Sequence, residues 1–190
     1  DFHRTGYNLL RAGLHPGVEL RQGYCSGPVP GMGNPKGFDC LMMLGMHAPS
    51  GSNGFIAHTL TSRIARIEVN GTLVSEAQLF AAALAPLNIP PIFFSGCPVA
   101  CDHTKKVMPR VDCFVIDKLN TGFSPKLWRN QLAEAAVNAM KSNSAHAYNP
   151  KGPFNVTLTM TAGKPAAKRI ARQWGLSQKG ADIIFEVPDF

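Results

Sequence analysis

Apolar positions along the chain follow two rhythms. Short, nearly continuous apolar runs, such as F-D-C-L-M-M-L-G and P-I-F-F-S-G, mark strands covered on both faces. Such segments predict strands over Phe38 to Gly45, Arg63 to Val69, Pro91 to Ser95, Asp112 to Asp117, Phe154 to Met160 and Asp182 to Val187. Helical stretches fall between them, over Ser75 to Leu87, Pro98 to Met108, Pro125 to Lys141 and Gly163 to Trp174. The third opens with Ser124 as an N-cap and Pro125 at the first helical position, a standard start signal.

Strands alternating with helices predict an α/β fold, a layered α/β/α sandwich around a mostly parallel sheet. In such folds ligands sit at the C-terminal ends of the strands. After Asn149 the stretch N-P-K-G-P reads as a linker into a small C-terminal α+β subdomain, which divides the chain into residues 1–148 and 149–190. Gly23 to Gly37 holds five glycines and three prolines and cannot be regular structure throughout, so it is expected to be a long loop. Loops of this length are either functional or surface excursions.

Composition narrows the class. The chain has 190 residues, 45% of them apolar and 16% charged, the balance of a globular protein with its own core. Its formal charge of +7 is dispersed, with only Lys105–Lys106 and Lys168–Arg169 as local clusters, and no nucleic-acid-binding motif is present. Nucleic acid is therefore not an expected partner. No apolar run approaches the ~20 residues that span a bilayer, so no membrane association is expected either. The five cysteines cannot all pair within the chain, and Cys97 and Cys101 have the wrong spacing for a zinc knuckle. Reduced cysteines in a cytoplasmic setting are the expectation. The opening D-F-H-R-T-G-Y-N-L-L reads as a strand end and its following loop, without an earlier strand to pair with. A preceding segment is expected to have been removed or to lie on another chain.

Four polar residues stand where a simple core does not explain them. His3 follows a strand end, His47 closes L-M-M-L-G-M, His58 sits in F-I-A-H-T-L, and Glu76 opens a helix after N-G-T-L-V-S. Imidazoles with a carboxylate suit zinc or a related divalent ion, and a further histidine could hold or transfer protons at neutral pH. The spacing alone is a weak signal, because none of these residues forms a compact H-E-x-x-H type motif. Singly, each histidine is more often a hydrogen-bonded structural residue, and Glu76 alone reads as a charge stabilised near a helix N-terminus.

Order and context add to this. D-F-H-R-T-G-Y-N-L-L, L-H-P-G-V-E-L, G-M-H-A-P-S-G, I-A-H-T-L and I-E-V-N-G-T-L-V-S-E-A, in that order, resemble the zinc-dependent D-aminopeptidase family associated with dipeptide transport. The resemblance is in register from Asp1 to about Lys118 and looser beyond. It implies that His3, His47 and Glu76 are metal ligands in a two-zinc site and that His58 is the catalytic histidine. It also implies ring-shaped oligomers and release of N-terminal D-residues from short peptides. His15 matches a family position read as structural, whereas His103 and His146 match none and are expected at the surface.

Two departures stand out. The family's first strand, with a D-x-E motif that completes the dinuclear site, is absent from the chain, so an N-terminal partner chain is expected to supply it, the alternative being a different or lost metal site. C-P-V-A-C replaces the acidic residues that usually follow the S-G turn, which leaves open an amide or an unusual peptide bond as substrate. The expected activity is hydrolysis of an amide or peptide bond by metal-activated water with a catalytic histidine. The alternative is a non-catalytic subunit that keeps the fold and holds a peptide or a partner.

Overall fold

β4, Pro91–Gly96, is buried at all six positions, as its unbroken apolar run requires. In this computed structural model, which describes residues 9–23, 26–28, 32–117, 122, 124–142 and 145–189, β4 is the centre of a three-stranded sheet. It pairs in parallel with β1, Leu41–Met46, on one side and with β5, Asp112–Val115, on the other. Phe93 and Phe94 point to opposite faces, as the two-residue period of a strand demands. Phe94 packs with Ala77 and Ala81 of α1, Glu76–Leu84, and with Ala100 and Cys101 of α2, Pro98–Val107. Phe93 packs with Ala139 of α3, Pro125–Ser142, beside the half-buried Leu132, Ala135 and Ala136. The sheet thus lies between helices on both faces, the layered α/β arrangement expected from the sequence.

The remaining strands form a five-stranded antiparallel sheet. β2, Ile64–Val69, and β3, Thr72–Leu73, make a hairpin, and β6, Phe154–Met160, pairs with β2 on one side and with β8, Asp182–Val187, on the other. β7, Ser177–Lys179, closes the order β3-β2-β6-β8-β7. The alternating burial of β6 shows one face turned to the core, where Ile67, Leu158, Met160 and Ile183 meet Ala167 and Ala171 of α4, Gly163–Trp174. The small alanines bring α4 close to the sheet. The parallel part is thus confined to three strands, and the antiparallel sheet draws strands from both sides of residue 148.

Two compact units are present, residues 1–39 and 40–190, and among the described residues the strands lie in the second. In the first, a short 3₁₀ turn at Arg11–Gly13 precedes irregular chain, and no helix or strand occurs among the described residues of 23–37. Arg21 pairs with Glu19 at 2.9 Å and donates to the Asn34 carbonyl at 3.0 Å, which fastens that loop to its own stem. His15 accepts from the Gly17 N–H through Nδ1 at 3.1 Å, the structural turn expected of it. Among the described residues no helix is long and apolar enough to cross a membrane.

Candidate metal centre

β1 does not end as a regular strand. Gly45 takes φ +69°, a left-handed conformation open to glycine, and donates its N–H to Ser95 Oγ at 3.0 Å on the neighbouring strand. The pairing with β4 shifts register between Met43 and Met46, so the chain bulges and delivers His47 at the C-terminal edge of the parallel sheet. Leu44 in this bulge is exposed, contrary to the expectation that the run is covered on both faces.

From His47 the chain makes a loop that closes on its own beginning. Ser50 and Thr59, 2% and 0% exposed, hold it: the Ser50 N–H donates to Thr59 Oγ1 at 3.1 Å and the Thr59 N–H donates to Ser50 Oγ at 2.7 Å. Each hydroxyl then donates its own proton outward, Ser50 to the Ile64 carbonyl at 3.2 Å and Thr59 to the Val74 carbonyl at 2.9 Å. Both buried hydroxyls are therefore satisfied as donor and as acceptor, which buried polar groups need in order not to destabilise the fold. Gly54 fits beneath because it lacks a side chain; a Cβ there would run into that of Ala48.

This closure brings His47 and His58 together, with ring centroids 4.5 Å apart and planes tilted by 43°. His47 Nδ1 lies 3.2 Å from the Phe55 carbonyl and His58 Nδ1 lies 2.8 Å from the Ile56 carbonyl. A carbonyl only accepts, so each Nδ1 carries a proton, and in the neutral ring that leaves the lone pair on Nε2, the tautomer a metal ligand or a general base requires. His58 is flanked by two bulky residues with positive φ, Ile56 at 48° and Leu60 at 64°. Such conformations cost on the order of 1–3 kcal/mol each and cluster at functional sites.

Glu76 reaches the same loop from α1. Its Oε1 accepts from the Leu60 N–H at 2.9 Å, while Ser75 caps the helix in a capping box with Gln78. The β2–β3 hairpin places this helix start. Its two-residue turn is Asn70–Gly71, at φ 49° and 76°, the asparagine–glycine pairing favoured in tight hairpins. That N-G signal stood in the sequence and could have been read there.

The structure thus joins three of the four expected residues through one loop, His47 and His58 by ring contact and Glu76 through Leu60. His3 lies outside the described residues. Of the expected ligands, His47 and Glu76 are of the types zinc takes, an imidazole oriented by a carbonyl and a carboxylate. Among the described residues, however, no three His, Cys, Asp or Glu side chains converge as a complete metal-holding group. Beside His47, a cavity of about 10 Å³ is lined by Met46, Phe55, Gly96, Cys97 and Ile116 at the ends of the parallel strands. That is room for about one water.

His103 was expected at the surface and is instead part-buried. Its Nε2 lies 2.8 Å from Gln78 Oε1, the oxygen that also accepts from the Ser75 N–H at 3.0 Å. Burial, helped by the charge of Lys106, holds its pKa below the ordinary imidazole value. Isolated letters in a helix do not show which neighbour they face, so no motif could have placed it. His146 is exposed, as expected.

A family profile described as D-aminopeptidase matches residues 1–184. The chain belongs to the D-aminopeptidase family. Among solved structures, the Zn-dependent D-aminopeptidase DppA from Bacillus subtilis, described as a self-compartmentalizing protease, is similar to it with a TM-score of 0.84 and 19% identity. The match covers 98% of this chain and 70% of that one, and at this identity it speaks for the fold. No curated protein sequence matches the chain. Within this D-aminopeptidase-family hydrolase, the loop carrying both histidines follows the first strand of the parallel sheet, where α/β folds place their ligands.

Proposed function

We propose that this chain is a zinc-dependent aminopeptidase or amidohydrolase acting on short peptides or amides. His3, His47 and Glu76 would hold the metal and His58 is the catalytic histidine. The observation that carries the reading is the His47–His58 pair, brought to 4.5 Å by a satisfied buried network with both Nδ1 atoms held by carbonyls. Bound zinc supplies a Lewis acid that lowers the pKa of water and polarises a carbonyl.

The chain's own residues do the rest. His58, with Nδ1–H committed to the Ile56 carbonyl, accepts a proton at Nε2 from the attacking water and returns it to the leaving amine nitrogen. The Leu60 N–H on Glu76 Oε1 orients that carboxylate toward the same loop. Two ions per complete site, with further ligands from an N-terminal partner chain, and a closed oligomer complete the proposal. The self-compartmentalizing description of the similar structure supports the last point.

The test is elemental analysis combined with a D-peptide and amide hydrolysis assay. His58→Ala should abolish turnover and retain zinc, whereas His47→Ala should lose zinc. Full turnover by zinc-loaded His58→Ala protein would remove that residue from the mechanism. The second reading is a non-catalytic subunit that keeps the fold and binds a peptide or a partner chain. Failure of the purified chain and its co-purifying partners to take up zinc would select it.

A further inference from the structure

α4 divides its residues between two faces. Ala167 and Ala171 are buried against the antiparallel sheet beside the half-buried Ala166 and Ile170, whereas Lys164, Lys168, Arg169 and Arg172 stand exposed on the other side. No acidic residue occurs in the helix. Lys164, Lys168 and Arg172 follow one another at four-residue steps, so they form a row that rises by about 6 Å per step, with Arg169 beside it.

The neighbouring strands do not neutralise this row. β8 turns Ile183 and Phe185 toward α4, and the two-residue period of a strand then puts Asp182 and Glu186 on the opposite face of the sheet. Asp182 is engaged there with the Thr159 hydroxyl, which donates to it at 2.7 Å. β7 carries Lys179 and no carboxylate. Among the described residues, none of the four α4 cations has a hydrogen-bond partner or a counter-ion.

Such a row works against the helix that carries it. Like charges one turn apart repel, and Lys164 stands in the first turn, where the helix dipole favours an anion. The apolar contacts of α4 lie on its other face and do nothing to relieve the repulsion. A local rule broken without compensation inside the fold points to a function outside it.

Three kinds of polyanion could supply the missing charge. A bilayer would need exposed apolar groups to insert, and apart from Trp174 at the last position those of α4 are spent on the sheet. Single-stranded nucleic acid would need aromatic rings spaced along the row, and Trp174 is the one aromatic residue of the helix, at its end. An acidic peptide needs neither. Its carboxylates, one turn apart on a helix or at alternate positions of a strand, repeat about every 6–7 Å, which is the step of the row.

We propose that the exposed face of α4 docks an acidic segment of a partner protein. Carboxylates of that segment pair with Lys164, Lys168, Arg169 and Arg172, and the two guanidinium groups can hold them through paired hydrogen bonds. The surface works without zinc or turnover, so it stands apart from the assignment of the histidines.

Fluorescence anisotropy of a labelled deca-glutamate peptide titrated with the full chain tests this. Binding should be saturable at low ionic strength and weaken on moving to about 0.15 M salt. Lys168→Glu with Arg172→Glu should weaken it about tenfold or more, whereas Lys126→Glu with Lys141→Glu on α3, the same change in net charge, should alter it less than about threefold. Lys168→Gln with Arg172→Gln, which brings no carboxylate into the helix, should also weaken it and decides the matter if the first pair proves unstable. Amide chemical-shift changes on adding the peptide should concentrate at 164–174. Absence of saturable binding, equal losses in the α4 and α3 pairs, or shift changes centred elsewhere would overturn the proposal. Tighter binding of an oligodeoxythymidine of equal charge, or of phosphatidylserine vesicles, would overturn it as well.

Discussion

Ile56 holds a backbone conformation that β-branched residues avoid, and it holds it two positions before His58, whose ring nitrogen its carbonyl receives. Ile56→Asn should relieve this strain and raise stability by about 1 kcal/mol, since asparagine tolerates positive φ. The backbone and the carbonyl that orients His58 keep their place, so turnover should hold while urea denaturation shows the gain. Thr59→Val keeps the shape of the side chain and strands the Ser50 N–H and the Val74 carbonyl, with an expected loss of about 1–3 kcal/mol. Ser50→Ala should cost a similar amount, and the double variant much less than the sum, because both serve one network. A double-mutant cycle by chemical denaturation checks this. The histidines themselves were legible because their surrounding letters recur as family motifs. The Ser50–Thr59 exchange was not, because it depends on a fold-back that neither residue announces.

At the level of elements, α1 depends on a hairpin behind it and on a histidine beside it. Gly71→Ala would place a side chain at φ 76° in the two-residue turn and should cost about 1–2 kcal/mol. Because that turn sets where the helix begins, zinc affinity should fall with stability, which thermal unfolding and metal titration can measure together. His103 supplies a pH dependence. Its folded pKa lies below its unfolded one, so the unfolded chain binds more protons through this window. Stability should therefore be complete above the ordinary imidazole pKa of about 6.5 and fall as the pH drops from there toward the folded value. His103→Gln should flatten that part of the stability curve. Element type and approximate bounds could be read from periodicity, down to identical limits for Phe154–Met160, Gly163–Trp174 and Asp182–Val187. The two-residue strand Thr72–Leu73 and the three-residue Ser177–Lys179 are too short to carry a period, and they went unread.

For the whole molecule, strand direction decided what the sequence left open. Burial patterns report which face is covered, and they say little about whether a neighbour runs parallel or antiparallel. The apolar run of β2 thus read like those of the parallel strands, although it pairs with β6 across more than eighty residues of chain. Five β2 residues register with β6, and Ile67 and Val74 share a core with Leu158 and Ile183. A chain truncated after Tyr148 should consequently expose that face, bind a hydrophobic dye and associate, as size-exclusion chromatography would show. A monomeric, cooperatively folding fragment would instead establish residues 1–148 as a self-sufficient domain.

The Ser50–Thr59 closure also bears on how the protein can change over generations. Because the two ends of the excursion are pinned to each other and to the Ile64 and Val74 carbonyls, the exposed Asn53 between them carries little of the geometry. Lengthening a pinned loop adds only a slowly growing entropy term, about 0.6 kcal/mol per doubling. Insertions at that tip could therefore remodel what approaches the histidines while leaving the histidines where they are, so that new preferences can be explored without risk to the chemistry.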